Sequence, residues 1–439
     1  MRRTRVVLLR HDGEGHVLTV APTRAGKGTG CVIPNLLLHP GSVVVTDPKG
    51  ENYAITARWR RDGLKQRVLV FDPFEVTGQT QSAAYNPLDL IDVTRPDAHD
   101  DAWMLADMLV VSDGRRGEEH FWDEEARGLI QGIILYVAAH LSAADRHLAM
   151  VRRLLTLPRR RFLELLNAML ASRAVNGLVA RAAARLTQKA ARERSGVVST
   201  AQSHTHFLDS GQIAAVLDRS DIALGQLKTQ PASLYLIIPP ERLDTYQRWL
   251  RLMIGCAVQA MTRERQPPVE RVLFLLDEFA QLGRMRPVER GVTLVGGYGV
   301  TFWMLVQDLA QLRRAYPDGW ETLLANADVL QAFGVNDWET AEHLSRLSGE
   351  TTVVVESDSE FRGTSTGKVG RQQEGETLSR SERGRRLLTA DEVRRMPSDR
   401  VLVFLKGCGP IDARRVDYRT DPEFRGMADH NPLHRASAS

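Results

Sequence analysis

The stretch HVLTVAPTRAGKGTG, residues 16–30, decides the fold. Its first part, HVLTVA (16–21), is a short apolar run that predicts a buried strand. A glycine-rich turn follows, and the chain is then compatible with a helix to about Leu38. A turn of this kind directs backbone N–H groups, a helix dipole and the Lys27 ammonium toward a phosphate. The segment therefore predicts a phosphate-binding loop.

This loop departs from the strict pattern G-x-x-x-x-G-K-[ST]. Ala21 stands at the first glycine, and Gly28 replaces the hydroxyl residue that holds a metal. Thr29 comes one residue later, about 100° around a helix. A strand-to-helix turn without a ligand is the alternative interpretation. The predicted nucleotide-binding residues are Thr23, Arg24, Ala25, Gly26, Lys27, Gly28 and Thr29.

A second motif, VLFLLDE (272–278), is an apolar strand that ends in two acids. A Walker B strand has this form, because its carboxylate must emerge at the carboxyl end beside the phosphates. We expect Asp277, together with Thr29, to hold Mg²⁺ and Glu278 to act as the general base on a water. An ordinary strand stopped by two acids is the alternative. Both motifs in one α/β core favour nucleotide binding.

Polar residues also follow two other predicted strands. Gln307 comes directly after VTFWMLV (300–306), where a side chain can sense a γ-phosphate or simply be solvated. Asp47, Lys49 and Glu51 follow SVVVTD (42–47), at an edge where open α/β sheets bind ligands. These three residues fit either a phosphate contact by Lys49 or a structural turn. Lys27, Glu278 and Gln307 are therefore the predicted catalytic residues.

Strands and helices alternate at both ends of the chain, and the middle is helical. Further strands are predicted at 67–72, 233–239, 329–334 and 400–407, whereas 98–202 shows almost no strand pattern. This predicts an α/β core with a mainly parallel sheet, interrupted by an all-α domain. The polar segment 356–386 fits a mobile loop or an exposed hairpin. The predicted division is 1–95 with 205–425 for the core, 96–204 for the helical domain and 426–439 for a flexible tail.

Composition excludes several classes of protein. The chain has 439 residues, 43% hydrophobic and 26% charged, which is ordinary for a folded globular protein. Three widely spaced cysteines argue against a disulfide framework and indicate a reducing cytosol. No apolar run is long enough for a transmembrane helix. The net charge of +4 permits nucleic-acid binding without requiring it.

Beyond the phosphate-binding loop and the Walker B strand, the chain resembles the VirD4/TraG family, the conjugative coupling proteins of bacterial type IV secretion. The blocks that carry the resemblance run in family order and cover nearly the whole chain. They are APTRAGKGTG (21–30), VIPNLL (32–37), GSVVVTDPKGEN (41–52), YNPLDLI (85–91), FWDEEARGLI (121–130), LLDEFAQLG (275–283), LVQDLAQL (305–312) and RLLTADEVRRMP (386–397).

The resemblance implies a RecA-like P-loop NTPase core that uses ATP and Mg²⁺. It further implies a homohexameric ring, or a monomer when isolated, at the cytoplasmic face of the inner membrane. Such a ring delivers DNA with its bound relaxase, or effector proteins, to the type IV secretion channel. Its contacts with DNA are expected to lack sequence specificity. The loop and Walker B roles carry over to Gly26, Lys27, Thr29, Asp277 and Glu278.

Two departures from the family pattern matter. The family usually has transmembrane helices ahead of the motor, whereas about twenty residues precede the loop here. Some relatives have an arginine finger before the strand that leads to the glutamine, and here that stretch reads VGGYGV (295–300). Replacement candidates are Arg284, Arg286 and Arg290. Whether the cargo is DNA, protein or both stays open.

Two other functions are compatible with the same residues. One is a related DNA translocase of chromosome segregation, which the helical insertion and the RLLTADEV segment disfavour. The other is a non-hydrolysing adaptor that binds nucleotide only for assembly, which Glu278 argues against.

Three further clusters are assigned no catalytic or metal-binding role. They are His204 with His206, too isolated for a metal site; Asp123, Glu124 and Glu125, expected at a helix start; and Arg152, Arg153 and Arg159–Arg161, a solvated helical face or a DNA contact.

Overall fold

The centre of the chain is a nine-stranded sheet. The computed structural model describes residues 9–111, 118–364 and 372–433. Within them the strands are β1 His16–Val20, β2 Val43–Thr46, β3 Arg67–Phe71, β4 Ala232–Leu236, β5 Val272–Leu276, β6 Val300–Val306, β7 Ala327–Ala332, β8 Glu350–Thr364, β9 Gln372–Arg386, β10 Arg400–Leu405 and β11 Ile411–Arg414. Their order across the sheet is β11-β10-β7-β1-β6-β5-β2-β4-β3, and β8 pairs with β9 separately.

Strands β1–β7 pair in parallel, and β10 and β11 add an antiparallel edge. The parallel strands are apolar and mostly buried, as expected for a sheet with helices on both faces. The predicted mainly parallel α/β sheet is confirmed. The prediction missed β11, because its residues IDAR alternate between half-buried and exposed at the edge of the sheet. Such a short polar strand has no apolar run to reveal it.

Helices cover the sheet and fill the segment between β3 and β4. The described helices are α1 Ile33–Leu38, α2 Glu51–Asp62, α3 Ala98–Leu109, α4 Glu118–His140, α5 Leu148–Leu155, α6 Arg159–Leu170, α7 Ala174–Thr187, α8 Ala191–Thr205, α9 Gly211–Ala215, α10 Leu243–Arg263, α11 Arg286–Gly291, α12 Leu309–Ala315, α13 Trp320–Ala325, α14 Trp338–Leu347 and α15 Ala390–Arg394. A π-helical turn, Gly28–Val32, leads into α1.

The helical segment shares one apolar core with the sheet. A single apolar cluster contains Ile133 and Leu166 of the helices together with Leu18 and Phe274 of the strands. The expected division at residues 96–204 therefore stays a prediction, because no separate core marks that boundary. The helical content of the segment follows from its Ala- and Leu-rich periodicity.

Two predicted surface segments have defined backbone structure. Residues Glu350–Thr364 and Gln372–Arg386 pair as antiparallel strands, which favours the hairpin interpretation of 356–386, and the pairing begins earlier than expected. Residues 365–371 of the predicted segment lie outside the described residues. In the expected tail 426–439, Arg58 Nε lies 2.6 Å from Asp429 Oδ1. Asn431 Nδ2 also donates to Glu51 Oε1 at 2.9 Å. The described part of that tail is thus held against α2, and residues 434–439 lie outside the described residues.

The acidic cluster of α4 does not lie in the helix's first turn. Asp123 is fully buried, and its Oδ1 lies 2.8 Å from His204 Nε2. Glu125 receives hydrogen bonds from Arg185 of α7 at 3.1 and 2.6 Å. These acids therefore join α4 to α7 and α8, which corrects the expectation that they complement a helix dipole.

One arginine of the basic cluster is also placed differently from expectation. Arg152 is buried, and its guanidinium donates to both carboxylate oxygens of Asp209 at 2.8 and 2.7 Å. It therefore contributes neither to a solvated face nor to a DNA contact. Arg153 and Arg159–Arg161 are exposed, and Arg161 pairs with Glu164 on its own helix.

Candidate functional site

Three predicted functional segments meet at the carboxyl edge of the sheet. The glycine-rich loop follows β1, Asp277 and Glu278 follow β5, and Gln307 follows β6. Because β6 lies between β1 and β5, Gln307 stands between the loop and the two acids. Open α/β sheets bind ligands at this edge. The sheet order therefore brings together the residues that the sequence singled out.

The loop between β1 and α1 takes a tight turn. The amide of Ala25 donates to the carbonyl of Pro22 at 3.2 Å, and the amide of Gly30 donates to the carbonyl of Gly26 at 3.0 Å. Gly26 has φ +88°, a conformation that glycine adopts without steric cost. Arg24 also has a positive φ, +64°. Thr23, Arg24 and Gly28 are exposed, so the mouth of the loop faces solvent.

Lys27 points back across the loop toward β5. Its Nζ donates to the carbonyl of Ala21 at 3.0 Å and to Glu278 Oε1 at 3.3 Å. The side chain of Lys27 is only 10% exposed, and that of Glu278 is 23% exposed. The charge pair is therefore shielded from bulk water. This shielding makes it stronger than an ion pair at the protein surface.

Glu278 is the centre of the polar network. Its Oε2 accepts hydrogen bonds from Gln307 Nε2 at 2.9 Å and from Gln281 Nε2 at 3.0 Å. Gln311 Nε2 extends the network by donating to Gln307 Oε1 at 3.3 Å. The backbone of Glu278 has φ +51°, in the left-handed region, which residues other than glycine rarely adopt. Such conformations are held in place at functional sites by their surroundings.

Asp277 lies beside this network in a half-buried position. Burial, followed by the charge of Glu278, raises the pKa of Asp277 to about 6. One carboxylate oxygen accepts the backbone amide of Glu278 at 2.9 Å. A half-buried carboxylate next to the Lys27 ammonium and a second acid is the kind of oxygen ligand that Mg²⁺ prefers. Asp277 therefore fits the predicted metal role.

The hydroxyl of Thr29 has a local partner. Its Oγ1 donates to the carbonyl of Gly26 at 3.2 Å. The loop thus offers a hydroxyl one residue later than the strict pattern, and an ideal Cβ on Gly28 would meet nothing within 4 Å. Space at Gly28, the ammonium of Lys27 and the carboxylate of Asp277 together suit a magnesium nucleotide. The role of Thr29 as a metal ligand stays a prediction.

The polar residues after β2 divide between two roles. Asp47 is buried, and its Oδ2 accepts the amide of Tyr53 at 2.8 Å, which holds the first turn of α2. Burial raises the pKa of Asp47 to about 7. Lys49 is 60% exposed and lies 4.0 Å from Glu51. Asp47 therefore acts as a structural turn residue, whereas Lys49 stays accessible to solvent.

The three candidate finger arginines have partners within the chain. Arg284 donates to both carboxylate oxygens of Glu289 at 2.9 Å. Arg286 and Arg290 lie 3.6 and 3.5 Å from Asp107. Arg290 differs in exposure, since its side chain is 71% exposed against 26% for Arg286 and 20% for Arg284.

Two side chains at the site were not predicted from the sequence. Gln281 lies one helical turn after Glu278 in the AQL sequence, and its position beside two acids is the only signal that could have suggested it. Arg415, the residue directly after β11, contacts the backbone of the loop. No motif marks Arg415, and 390 positions separate it from Ala25.

Among the described residues, no helix is both long enough and apolar enough to cross a lipid bilayer.

Comparison with known proteins gives consistent matches along the chain. A family model for type IV secretory system conjugative DNA transfer matches residues 2–438. The conjugal transfer protein TraG of Escherichia coli is 34% identical, and the alignment covers 96% of this chain and 69% of TraG. Protein VirD4 of Rhizobium radiobacter is 30% identical, with 95% of this chain and 59% of VirD4 covered.

Solved structures of the plasmid coupling protein TrwB share the fold. The complex with the non-hydrolysable ATP analogue ADPNP has a TM-score of 0.65 at 16% identity, covering 92% of this chain and 86% of that chain. The complex with ADP and Mg²⁺ has a TM-score of 0.62 at the same identity and coverage. The sheet order and the matches over nearly the whole length agree with the expected RecA-like α/β architecture. The chain therefore belongs to the VirD4/TraG family of type IV secretion coupling proteins, the family of conjugative DNA transfer.

Proposed function

We propose that this coupling protein binds ATP with Mg²⁺ at the carboxyl edge of its sheet and hydrolyses it. The observation that carries the proposal is the contact of three predicted catalytic side chains: Lys27 and Gln307 both hydrogen bond to the carboxylate of Glu278. The TrwB complexes with ADPNP and with ADP and Mg²⁺, which have the same fold, support this choice of ligand.

The chain's own residues suit hydrolysis of the terminal phosphate. The loop amides and Lys27 would bind the β- and γ-phosphates, and Asp277, with Thr29, would hold Mg²⁺, which supplies charge neutralisation at those phosphates. Glu278 would accept a proton from the attacking water while the water oxygen bonds to the γ-phosphorus. The bond between the γ-phosphorus and the bridging oxygen would break, and that oxygen would leave with the β-phosphate. Gln307 would orient the Glu278 carboxylate and, from the end of β6, contact the γ-phosphate.

The work done with this energy is proposed from the family. We propose that the chain delivers DNA with a bound relaxase, or effector proteins, to a type IV secretion channel at the cytoplasmic face of the inner membrane. Contacts with the DNA backbone would make this movement independent of base sequence. In this proposal residues 1–95 and 205–425 form the motor, and residues 96–204 form a helical domain.

A homohexameric ring is part of the same proposal. Ring motors place a positive charge from one subunit on the γ-phosphate of its neighbour, because an isolated site hydrolyses slowly. Of the three candidates, Arg290 is the most exposed, and its guanidinium lies 3.5 Å from the Asp107 carboxylate. We therefore choose Arg290 as the trans-acting arginine. Its replacement by Ala should abolish assembly-dependent turnover and leave nucleotide binding unchanged. Arg313→Ala, at another exposed arginine, should change neither turnover nor binding.

The first experiment measures ATP turnover per chain against protein concentration, with and without single-stranded DNA. Turnover that rises steeply with concentration and with DNA, and that disappears in Lys27→Ala, supports an assembling ring motor. The variant Lys65→Ala, at an exposed lysine away from the loop, is the matched control.

Negligible turnover at every concentration, with Mg-ATP still bound, would contradict hydrolysis and favour the non-hydrolysing adaptor. Failure of the wild-type chain to bind Mg-ATP or Mg-ADP would contradict the nucleotide site itself.

A further inference from the structure

Arg415 holds the backbone of the phosphate-binding loop from the side opposite its mouth. Its Nη1 donates to the carbonyl of Ala25 at 2.6 Å, and its Nη2 donates to the carbonyl of Gly26 at 3.0 Å. Two successive peptide carbonyls of the loop therefore point at one guanidinium. Hydrogen bonds from a charged donor are shorter and stronger than those between neutral groups.

The guanidinium is itself fixed by neighbouring elements. The backbone amide of Arg415 donates to the carbonyl of Asp399 at 2.7 Å, and Nη1 also donates to the carbonyl of Ser398 at 2.8 Å. The guanidinium carbon lies 4.2 Å from the centroid of the Phe333 ring, which follows β7. This cation–π contact and the backbone bonds leave the side chain little freedom.

The packing around Arg415 also explains a glycine of the loop. An ideal Cβ on Gly26 would lie 2.4 Å from Arg415 Nη2, and one on Gly30 would lie 3.0 Å from the same atom. Two features therefore favour glycine at position 26: the positive φ of its backbone and the close approach of the guanidinium. The loop and Arg415 are fitted to each other.

The geometry has a direct consequence for phosphate binding. In a trans peptide the C=O and the N–H point in opposite directions. When the carbonyls of Ala25 and Gly26 face Arg415, the amides of Gly26 and Lys27 must face away from it, toward the mouth of the loop. Donation to those carbonyls also polarises the same peptide groups and strengthens their N–H donors. These amides are the ones that a phosphate-binding loop uses.

We propose that Arg415 is a positioning residue that fixes the loop amides for phosphate and thereby sets nucleotide affinity. The inference rests on the proposed nucleotide site and adds to it a contribution from the antiparallel edge of the sheet. Arg415 acts through the loop backbone and need not touch the nucleotide.

The test measures binding of Mg-ADP to the full chain by titration calorimetry. Arg415→Gln removes the charge and the planar guanidinium that donates to two carbonyls at once. Arg415→Lys keeps the charge but lacks this planar pair of donors. We expect the Kd of Arg415→Gln to rise at least about tenfold and that of Arg415→Lys to rise by less. Arg414→Gln, at the preceding residue with an 80% exposed side chain, is the matched control and should stay within about twofold.

Kinetic and rescue measurements separate positioning from general stability. We expect kcat/KM to fall more than kcat in Arg415→Lys, and millimolar ethylguanidinium to restore part of the Mg-ADP affinity of Arg415→Ala. A merely structural residue would lower the unfolding temperature without either effect. If Arg415→Gln does not fold, Arg415→Lys and Phe333→Leu carry the same test with smaller expected losses.

The outcomes are distinct. Wild-type Kd in folded Arg415 variants, or equal weakening in Arg414→Gln, overturns this inference while leaving the nucleotide site intact. If the wild-type chain does not bind Mg-ADP, the proposed function fails first, and Lys27→Ala shows whether any binding observed belongs to the loop.

Discussion

Lys27 and Glu278 are 251 residues apart in sequence, yet the Lys27 Nζ lies 3.3 Å from Glu278 Oε1. The pair joins the cation of the loop to the acid that we expect to be the base. A phosphate oxygen at the mouth of the loop would compete with this carboxylate for the same ammonium. The pair therefore opposes nucleotide binding, and it holds the carboxylate in place until a phosphate takes over the ammonium.

Glu278→Gln should bind Mg-ATP more tightly, by about threefold to tenfold, because the amide no longer holds Lys27 as a charge partner. The same change should lower turnover by a factor of about 10²–10⁴, because an amide cannot accept the proton of the attacking water. Calorimetric titration and a phosphate-release assay measure the two effects. Glu339→Gln, at an exposed acid that pairs with Arg313, is the control. Turnover near the wild-type rate in Glu278→Gln would remove Glu278 from the base role.

Gln307 and Gln281 allow a paired comparison, since both donate to Glu278 Oε2, at 2.9 and 3.0 Å. Gln307 stands between the loop and β5, whereas Gln281 reaches the carboxylate from an exposed position. We expect Gln307→Ala to lower kcat by about 10–100-fold with little change in the Kd of Mg-ADP. Gln281→Ala should lower kcat by only a few fold. Equal losses in the two variants would mean that Gln307 merely orients the acid and senses no phosphate.

The sequence predicted the parts of the fold and site that depend on local pattern. Buried parallel strands appear as apolar runs, so β1–β7 and the residues that follow them could be identified. Because the carboxyl ends of parallel strands share one edge, the strand pattern alone predicts that Lys27, Glu278 and Gln307 lie close together.

Features that depend on tertiary contacts were not predictable. The fixation of the loop by Arg415 requires β11, a strand with no apolar run, to bring residue 415 back to residue 25. Arg152 occurs in a basic stretch whose composition suits solvent, yet its buried position depends on Asp209 from another segment. The residues of the expected tail look polar and unstructured until Arg58 and Glu51 supply partners on α2. Charged side chains are ambiguous in sequence because either water or a distant partner can satisfy them.

Arg60 supports a stability prediction away from the site. Its side chain is fully buried, and it donates to Ser233 Oγ at 2.5 Å, to the carbonyl of Gly41 at 2.9 Å and to Gln66 Oε1 at 2.7 Å. Arg60→Ala would remove these buried hydrogen bonds and leave a cavity where the side chain stood, so it should cost about 3–5 kcal/mol of unfolding free energy. Urea denaturation monitored by circular dichroism measures this. Arg61→Ala, at the exposed next residue, should change it by less than about 0.5 kcal/mol, and equal effects of the two substitutions would contradict the structural role.

His39 predicts how stability depends on pH. Burial, assisted by the nearby charge of Arg60, lowers the pKa of His39 from 6.5 to about 4. Its Nε2 lies 2.9 Å from the carbonyl of Arg271, which a neutral imidazole satisfies by donating its one N–H.

The sign of the effect follows from which state binds the proton. Between pH 6.5 and about 4 the unfolded chain protonates His39 and the folded chain does not, so stability falls as the solution is acidified through this window. The full loss attributable to His39 is up to about 3 kcal/mol. His39→Gln keeps a donor for the Arg271 carbonyl and should make the decline of the urea midpoint between pH 7 and pH 4.5 shallower. His430→Gln, at an exposed histidine, should leave the wild-type slope unchanged. Parallel pH profiles for wild type and His39→Gln would show that the acid sensitivity of the fold arises from other groups.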